Sequence, residues 1–173
     1  RWAREQGAAS VLGIDVSAAM LARAREMTAE GETKPGIPHA AIIEYRRADL
    51  ETLDLPCAAF DFAYSSLAFH YVEDIERLWC NLYAALRPGR RLVFSIEHPI
   101  YMAPTQPGWR LEADGTRILP LNHYQMEGVR KTDWLAEGIV KQHRTLGTQL
   151  NLLIRLGFTI AHVPGSDALA QTL

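Results

Sequence analysis

Two aspartates stand at positions where a carboxylate can meet a ligand. Asp15 directly follows the apolar run 10–14, and Asp49 follows the run 42–46 after two further residues. In an open sheet of parallel strands, ligands bind beyond the carboxyl ends of the strands. The two oxygens of Asp15 suit two vicinal ribose hydroxyls, and Asp49 suits the exocyclic amine of an adenine. The alternative at both positions is a polar residue that begins a turn.

Small and imidazole side chains follow the next two apolar runs. Ser65 and Ser66 are small enough for a ligand to approach the backbone, although a serine after a strand is also a common helix cap. His70 follows the run 60–67, and His98 follows the run 91–96. Each histidine is a candidate for an acid, a base or a group that orients a substrate. The alternative for both is a packed or capping side chain.

The elements that must position these residues alternate along the chain. Helical spacing predicts a helix that begins at Ser17 and ends before Gly31, and a second helix from Ile75 that Arg87-Pro88-Gly89 terminates. Short apolar runs predict strands at 10–14, 42–46, 60–67, 91–96 and 158–163. Alternation of strands and helices favours an α/β fold with a parallel sheet covered on both faces.

Four blocks of this sequence resemble successive motifs of the class I S-adenosylmethionine-dependent methyltransferases, most closely the small-molecule, ubiquinone-pathway-like branch. Their order and spacing match over roughly residues 1–98, and four loose blocks in register make a specific signal. The blocks are GIDVSAAML at 13–21, ADL at 48–50, FDFAYSS at 60–66 and LRPGRRL at 86–92. The resemblance implies a doubly wound, mostly parallel Rossmann-like sheet that transfers a methyl group from S-adenosylmethionine to a small-molecule acceptor.

The resemblance also implies roles for individual residues. Asp15, with Val16 beside it, would bind the cofactor's ribose, and Asp49 and Leu50 would frame the adenine. Ser65, Ser66 and the residues after them would line the floor near the methionine part. The family's glycine-rich loop is expected just before Arg1, outside the sequence.

The region after the fourth predicted strand is a candidate acceptor-binding segment. Residues 99–134 interrupt the regular pattern inside a single predicted domain, 1–173, and are rich in Pro, Gly and aromatics. A hairpin is predicted at 113–116. The segment is interpreted either as a lid over an apolar acceptor or as the packing of a long loop. Its aromatic candidates are Tyr101, Trp109, Tyr124 and Trp134.

Further candidates precede a helix that spacing predicts from Leu146 up to Gly157. His143-Arg144-Thr145 is expected to open this helix, and it resembles a segment of the same methyltransferase branch. Arg144 would hold a carboxylate or phosphate by paired hydrogen bonds, or else be an exposed arginine. Glu97 and His123 complete the acid/base and orienting candidates, which matter only if the acceptor must lose a proton.

Composition and charge bear on the binding partners and the cellular location of the protein. The net charge of −2 gives no overall basic footprint for nucleic acid, and no apolar run approaches the length of a membrane span. Cys57 and Cys80 lie in apolar surroundings without metal-ligand spacing, which predicts reduced core thiols, no metal site and a cytoplasmic protein.

Two rival functions stay open at this stage. An acid after a strand also suits the ribose of a nicotinamide cofactor, as in an oxidoreductase. That interpretation leaves the Asp49 block and the Arg87-Pro88-Gly89 turn unexplained. The second rival is a non-catalytic methyltransferase-like subunit that supports a partner, which an exposed apolar patch would favour.

Overall fold

The computed structural model describes residues 2–32, 42–106, 108–133 and 137–164, and divides the chain into a first unit up to Leu53 and a second from Asp54. The helices are α1 Trp2–Glu5, α2 Ala18–Glu32, α3 Ile75–Ala85, α4 Pro99–Met102 and α5 Leu146–Arg155, with a 3₁₀ turn at Phe69–Tyr71. The strands are β1 Ser10–Asp15, β2 Ile42–Arg47, β3 Phe60–Ser66, β4 Leu86–Ser95, β5 Arg110–Leu111, β6 Arg117–Ile118, β7 Gly128–Thr132 and β8 Ile139–His143.

The first unit contains a parallel strand pair. β1 and β2 run in register from Ser10 opposite Ile42 to Asp15 opposite Arg47. Helix α2 lies between them in the chain, and the Ser17 hydroxyl caps it by accepting the N–H of Met20 at 3.3 Å. The helix continues past Gly31, where the sequence predicts its end, because a single glycine weakens a helix without breaking it.

A close contact joins β1, β2 and α2. Gly13 lies opposite Tyr45 in the ladder, and a Cβ atom on Gly13 would come within 2.9 Å of the Tyr45 ring. The hydroxyl of Tyr45 lies 2.7 Å from the Thr28 hydroxyl on α2. The ring therefore covers the β1 backbone and is held at its far end, and this arrangement requires glycine at position 13.

The second unit begins with another parallel pair. β3 and β4 are connected through α3, whose first turn is capped by the Asp74 carboxylate at 3.0 Å from the N–H of Arg77. One face of α3 buries Leu78, Trp79 and Leu82, as the helical spacing predicts. These residues belong to the core of this unit.

The Arg87-Pro88-Gly89 segment has a second role besides the predicted one of ending α3, which ends just before it at Ala85. It follows the end of α3 but belongs to β4, as a bulge between two ladder pairs, Phe60–Leu86 and Phe62–Arg91. Gly89 has a φ of +75°, which glycine adopts without strain. The Asp61 carboxylate lies opposite the bulge and forms ion pairs with Arg87 and Arg90.

The segment after β4 holds more regular structure than its sequence predicts. The predicted hairpin is present as β5 and β6, with Gly115 at a φ of +86° in the turn. β7 and β8 form a second antiparallel pair that no sequence pattern indicated. His143 is the last residue of β8 and does not open a helix; Thr145 caps α5 by accepting the N–H of Thr148 at 3.1 Å.

Two further predictions are wrong. Residues 158–163 form no strand in the described part of the chain, because an apolar run becomes a strand only where a neighbouring strand pairs with its backbone. Cys57 and Cys80 are free but exposed rather than buried in the core. Cys80 follows the buried Trp79 on α3, and one residue along a helix turns the side chain by about 100°.

Candidate functional site

Asp15 lies at the carboxyl end of β1, and one of its two carboxylate oxygens is hydrogen-bonded. Oδ1 accepts the N–H of Ser17 at 2.7 Å, which closes the turn into α2. Within the described residues Oδ2 accepts no hydrogen bond, and the side chain is partly exposed. Val16 follows with its side chain largely in solvent. A carboxylate that is held in place through Oδ1 can accept hydrogen bonds from hydroxyl groups at Oδ2.

Asp49 repeats this arrangement beyond the end of β2. Its Oδ1 accepts the N–H of Glu51 at 3.0 Å, and its Oδ2 accepts no hydrogen bond from the described residues. Arg47 joins the two strand ends, because its Nε donates to the Val16 carbonyl at 2.9 Å while Ala48 N–H donates to the Asp15 carbonyl at 3.2 Å. Since β1 and β2 are parallel, both aspartates lie at one edge, called here the acidic edge.

Ser65 and Ser66 end β3 in the second unit. Ser66 pairs with Ser95 on β4, and their hydroxyls are 3.4 Å apart. The next residue, Leu67, has a φ of +51°, and its N–H donates to the Ser95 carbonyl at 2.9 Å. A left-handed leucine costs roughly 1 kcal/mol, so the chain turns sharply here at some energetic expense. Ser65 is partly exposed and Ser66 exposed, which keeps both backbones approachable.

The structure brings His70 together with two charged residues, Glu97 and Lys141. The Glu97 N–H donates to Nδ1 of His70 at 3.3 Å, and the Glu97 carboxylate forms an ion pair with the ammonium of Lys141. His70 is 4% exposed, and the side chains of Lys141 and Glu97 are 1% and 26% exposed. We call these three residues the buried trio.

Burial lowers the pKa of His70 below its usual value; the charge of Glu97 partly opposes this and that of Lys141 adds to it. The imidazole is therefore neutral at physiological pH. A backbone N–H can only donate, so Nδ1 carries the lone pair and the ring hydrogen is assigned to Nε2. This Nε2 is buried and has no hydrogen-bond partner among the described residues.

The other two histidine candidates are placed differently. His98 is exposed, and its Nδ1 accepts the N–H of Ile100 at 3.3 Å, so it caps the short helix α4. His143 is completely buried, with Nε2 2.8 Å from the Tyr124 carbonyl. A carbonyl only accepts, so Nε2 donates and Nδ1 of His143 is the buried atom without a described partner.

Tyr124 and Glu127 surround the end of β8 that leads into α5. The Tyr124 hydroxyl accepts the N–H of Leu146 at 3.1 Å, and the Glu127 carboxylate accepts the N–H of Thr145 at 2.8 Å. Burial raises the pKa of Glu127, but hydrogen bonds from Thr148 and Thr145 and the His143 charge outweigh it and leave the pKa below its ordinary value. Through its hydrogen bond to Leu146, Tyr124 therefore contributes to the packing of the segment between β8 and α5.

The remaining acceptor candidates are not gathered at one place. Arg144 donates to the backbone carbonyls of Val72 and Glu73, so its guanidinium fixes the chain after the 3₁₀ turn. Trp109 is half exposed beneath the guanidinium of Arg117 at 5.2 Å. Tyr101 is partly buried in α4. Trp134 lies outside the described residues, and His123, with a φ of +55°, is exposed.

Lys141 is the member of this region that the sequence patterns do not indicate. It pairs with Glu97 across 44 residues of chain. The sequence Ile-Val-Lys-Gln-His at 139–143 has no apolar alternation that would mark this lysine as buried. Among the described residues no group of His, Cys, Asp or Glu side chains is arranged to hold a metal ion. In the same part of the chain, every helix is too short or too polar to cross a membrane.

Comparison with known proteins identifies the family of the chain. A family model described as a methyltransferase domain matches residues 1–94. A solved S-adenosylmethionine-dependent methyltransferase from Mesorhizobium loti is 53% identical, with a TM-score of 0.84 over 99% of this chain and 75% of that one. It shows that the fold is the predicted Rossmann-like α/β fold.

Two curated relatives are longer. An uncharacterized protein of Haemophilus influenzae is 34% identical over 90% of this chain and 61% of its own length. A malonyl-[acyl-carrier protein] O-methyltransferase of Enterobacter lignolyticus is 31% identical over 64% of this chain and 39% of its own length. The chain thus spans about three fifths or less of these relatives. With its family match, its strand-end carboxylates and its four motif blocks, the chain belongs to the class I S-adenosylmethionine-dependent methyltransferases.

Proposed function

We propose that the whole protein transfers the methyl group of S-adenosylmethionine to a small-molecule acceptor. The observation that carries this proposal is the acidic edge, where each of two aspartates at neighbouring parallel strand ends has one carboxylate oxygen that no described residue engages. Free carboxylate oxygens fit the hydroxyls of a ribose and the amine of an adenine, so the donor set suits an adenosyl group. Family membership points to the same cofactor.

The resemblance to the methyltransferase family suggests a role for each residue. Asp15, with Val16, would hold the ribose, and Asp49, with Leu50, would hold the adenine. Ser65 and Ser66 would leave room for the methionine part. The bound cofactor supplies an activated methyl group, so the protein mainly orients the acceptor and excludes water. His70 and His98 stay proposed as groups that contact the acceptor.

The residues that bind the acceptor are proposed from the sequence alone. Tyr101, Trp109, Tyr124, His143 and Arg144 stay predictions as acceptor-binding residues, as does a lid function for 99–134. The Enterobacter relative is an O-methyltransferase by name, which is the reason to test oxygen acceptors first. We also infer a cytoplasmic location, because exposed free thiols such as Cys57 and Cys80 persist in a reducing compartment.

Calorimetry tests the proposal directly. S-adenosylhomocysteine should bind the full-length protein and NADH should not. Asp15→Asn removes the charge but keeps the oxygen that caps Ser17, and it should weaken S-adenosylhomocysteine binding at least tenfold, about 1.4 kcal/mol.

The matched control is Glu44→Gln, an exposed carboxylate in the middle of β2, which should leave the affinity unchanged. Tighter binding of NADH would instead support an oxidoreductase. Binding of S-adenosylhomocysteine without turnover on any acceptor would support a non-catalytic subunit.

A further inference from the structure

Three basic side chains of the β7–β8 region reach the chain segments that follow β3 and β4. Arg130 lies on β7, Lys141 lies on β8, and Arg144 follows β8 directly. We call β7, β8 and Arg144 the ribbon. β8 also packs against the 3₁₀ turn that follows β3 and against α4, which follows β4. The ribbon therefore contacts the chain beyond the carboxyl ends of both strands, the side on which a parallel sheet binds its ligands.

Arg130 donates to four backbone carbonyl groups. Its Nε donates to the Ala103 carbonyl at 3.0 Å, and its Nη1 donates to the carbonyl of the preceding residue at 3.1 Å. Its Nη2 donates to the carbonyls of His123, at 3.4 Å, and Met126. The last two residues form a turn, and Ala103 is the buried residue that ends α4. One guanidinium therefore joins the end of α4 to this turn.

This junction closes the base of the excursion that contains the β5–β6 hairpin. A second base contact is the N–H of Thr105, which donates to Oδ1 of Asn122 at 3.4 Å. The described residues between 105 and 118 are all exposed, among them the acceptor candidate Trp109. Since no buried side chain in this part ties the excursion to the core, its position depends on the contacts at its base.

Arg144 makes the corresponding contact after β3. Its Nη2 donates to the carbonyl of Val72 at 2.8 Å and to the carbonyl of Glu73, just beyond the 3₁₀ turn. The ion pair of Lys141 with Glu97 adds a third anchor shortly after β4. A planar guanidinium carries five N–H donors in a fixed fork, so it can hold several carbonyl groups in one arrangement.

We propose that Arg130 and Arg144 are positioning residues of the methyl transfer, which hold the segments after β4 and β3 in place for the acceptor. This inference rests on the proposed function. The family model matches residues 1–94, which include the residues proposed for the cofactor, and the ribbon lies beyond them. Loss of either arginine should therefore impair use of the acceptor and leave cofactor binding intact.

Hydrogen exchange of single amides, measured by NMR on the full-length protein, tests whether each arginine holds its own segment. Arg144→Met should speed exchange at Tyr71 and Val72 roughly tenfold and leave Ala103 unchanged, because only the local segment opens. Arg130→Met should do the reverse. An effect on overall stability alone would instead speed exchange throughout β3 and β4 as well.

Kinetics test whether the held segments serve the acceptor. The probes are benzoate, trans-aconitate and catechol, which offer carboxylate and phenol oxygens. For the probe that the wild type methylates best, both methionine variants should lower kcat/KM about tenfold or more, since a small misplacement of a reactant is costly. Calorimetry should show unchanged affinity for S-adenosylhomocysteine. The matched control is Arg155→Met, which breaks an exposed ion pair with Glu76 and should change neither quantity.

The outcomes separate positioning from direct binding. A raised KM for the acceptor in Arg144→Met, with exchange at Val72 unchanged, would mean that Arg144 binds the acceptor itself, which overturns the proposal for this residue. Acceptor kinetics no worse than in Arg155→Met would overturn it for both arginines. So would exchange that becomes equally faster along the whole chain.

Two further cases are decided by the same measurements. If a methionine variant does not fold, Arg130→Lys or Arg144→Lys replaces it, because lysine keeps the charge but not the fork. If the wild type methylates none of the probes, exchange alone decides: a local response supports the proposal, and its absence overturns it. Failure of S-adenosylhomocysteine to bind the wild type would instead sink the proposed function, while a local exchange response would still show that the arginines hold these segments.

Discussion

The acidic edge of the first unit lies at the carboxyl ends of two parallel strands, whereas the buried trio joins residues that follow β3 and β4 to Lys141 within the antiparallel strand β8. The two places treat charge in opposite ways. Asp15 and Asp49 stay in contact with solvent, and each engages one oxygen with its own loop. Lys141 is buried and pairs with Glu97, which keeps 26% of its side chain in solvent, and the Glu97 N–H donates to a histidine. Solvated carboxylates keep bonding capacity for a ligand, whereas buried charges are tolerated only when paired.

Substitutions at the acidic edge and in the buried trio should therefore impair different properties of the protein. Changes at the acidic edge should reduce affinity and leave stability nearly intact. Changes in the buried trio should reduce stability, because a lost partner leaves a charge or donor without compensation. The predictions that follow test this division.

The largest effect is expected from Lys141→Met. Methionine fills a similar volume but leaves the Glu97 carboxylate unpaired, and losing one partner of a buried pair costs about 3 kcal/mol or more. Because Glu97 keeps some solvent contact, we expect a loss of roughly 2–3 kcal/mol in the free energy of unfolding, measured by urea denaturation.

The matched control for Lys141→Met is Arg155→Met, which breaks the ion pair of Arg155 with Glu76, both more than half exposed. Pairs of this kind contribute about 1 kcal/mol or less. If Lys141→Met is no more destabilising than Arg155→Met, the buried trio is not the structural element described here.

An intermediate effect is expected from Gly13→Ala in the first unit. The new methyl group would meet the Tyr45 ring at 2.9 Å, and the bond to Thr28 restrains that ring. Overpacking of this kind costs roughly 1–3 kcal/mol, measurable as a lower unfolding free energy. In the Tyr45→Phe background the ring loses its tether, so the same substitution should cost less. An equal cost in both backgrounds would show that the tether is irrelevant.

The smallest effect concerns pH. The pKa of His70 lies below its unfolded value near 6.5, so the unfolded chain binds more protons as pH falls below that value. The stability that depends on neutral His70 is therefore complete above pH about 6.5 and declines as pH drops toward the folded-state pKa. In His70→Gln, which does not titrate, the unfolding free energy should decline less steeply below pH 6.5. Identical slopes would mean that His70 titrates alike in both states.

Several elements of both units could be predicted because their signals are local. The runs that became β1 and β2, the spacing of α3 and the turn at Gly115 are each written within a few residues. Because β1 and β2 are parallel, their carboxyl ends lie on the same side, and the position of the acidic edge follows from this. The structure confirms these elements, and the roles of Asp15 and Asp49 stay predictions.

The buried trio could not be predicted because it depends on distant pairing. Lys141 lies on β8, 44 residues from Glu97 in the chain, and neither β7 nor β8 has a clear apolar alternation. The capping role of His98 and the loop-fixing role of Arg144 likewise depend on which backbone groups lie nearby. The exposure of Cys80, in contrast, follows from the local periodicity of α3, which turns Cys80 away from the buried face of Trp79.

The bulge opposite Asp61 has a consequence for how this chain tolerates change in length. Since Arg87–Arg90 protrude between two ladder pairs, an additional residue beside Gly89 would enlarge the protrusion and leave the pairing of Ser65 with Phe94 where it is. A deletion within β3 would shift that pairing by one position and turn every later side chain to the other face. Insertions should therefore destabilise the protein less at the bulge of residues 87–90 than in β3, the strand that pairs with it.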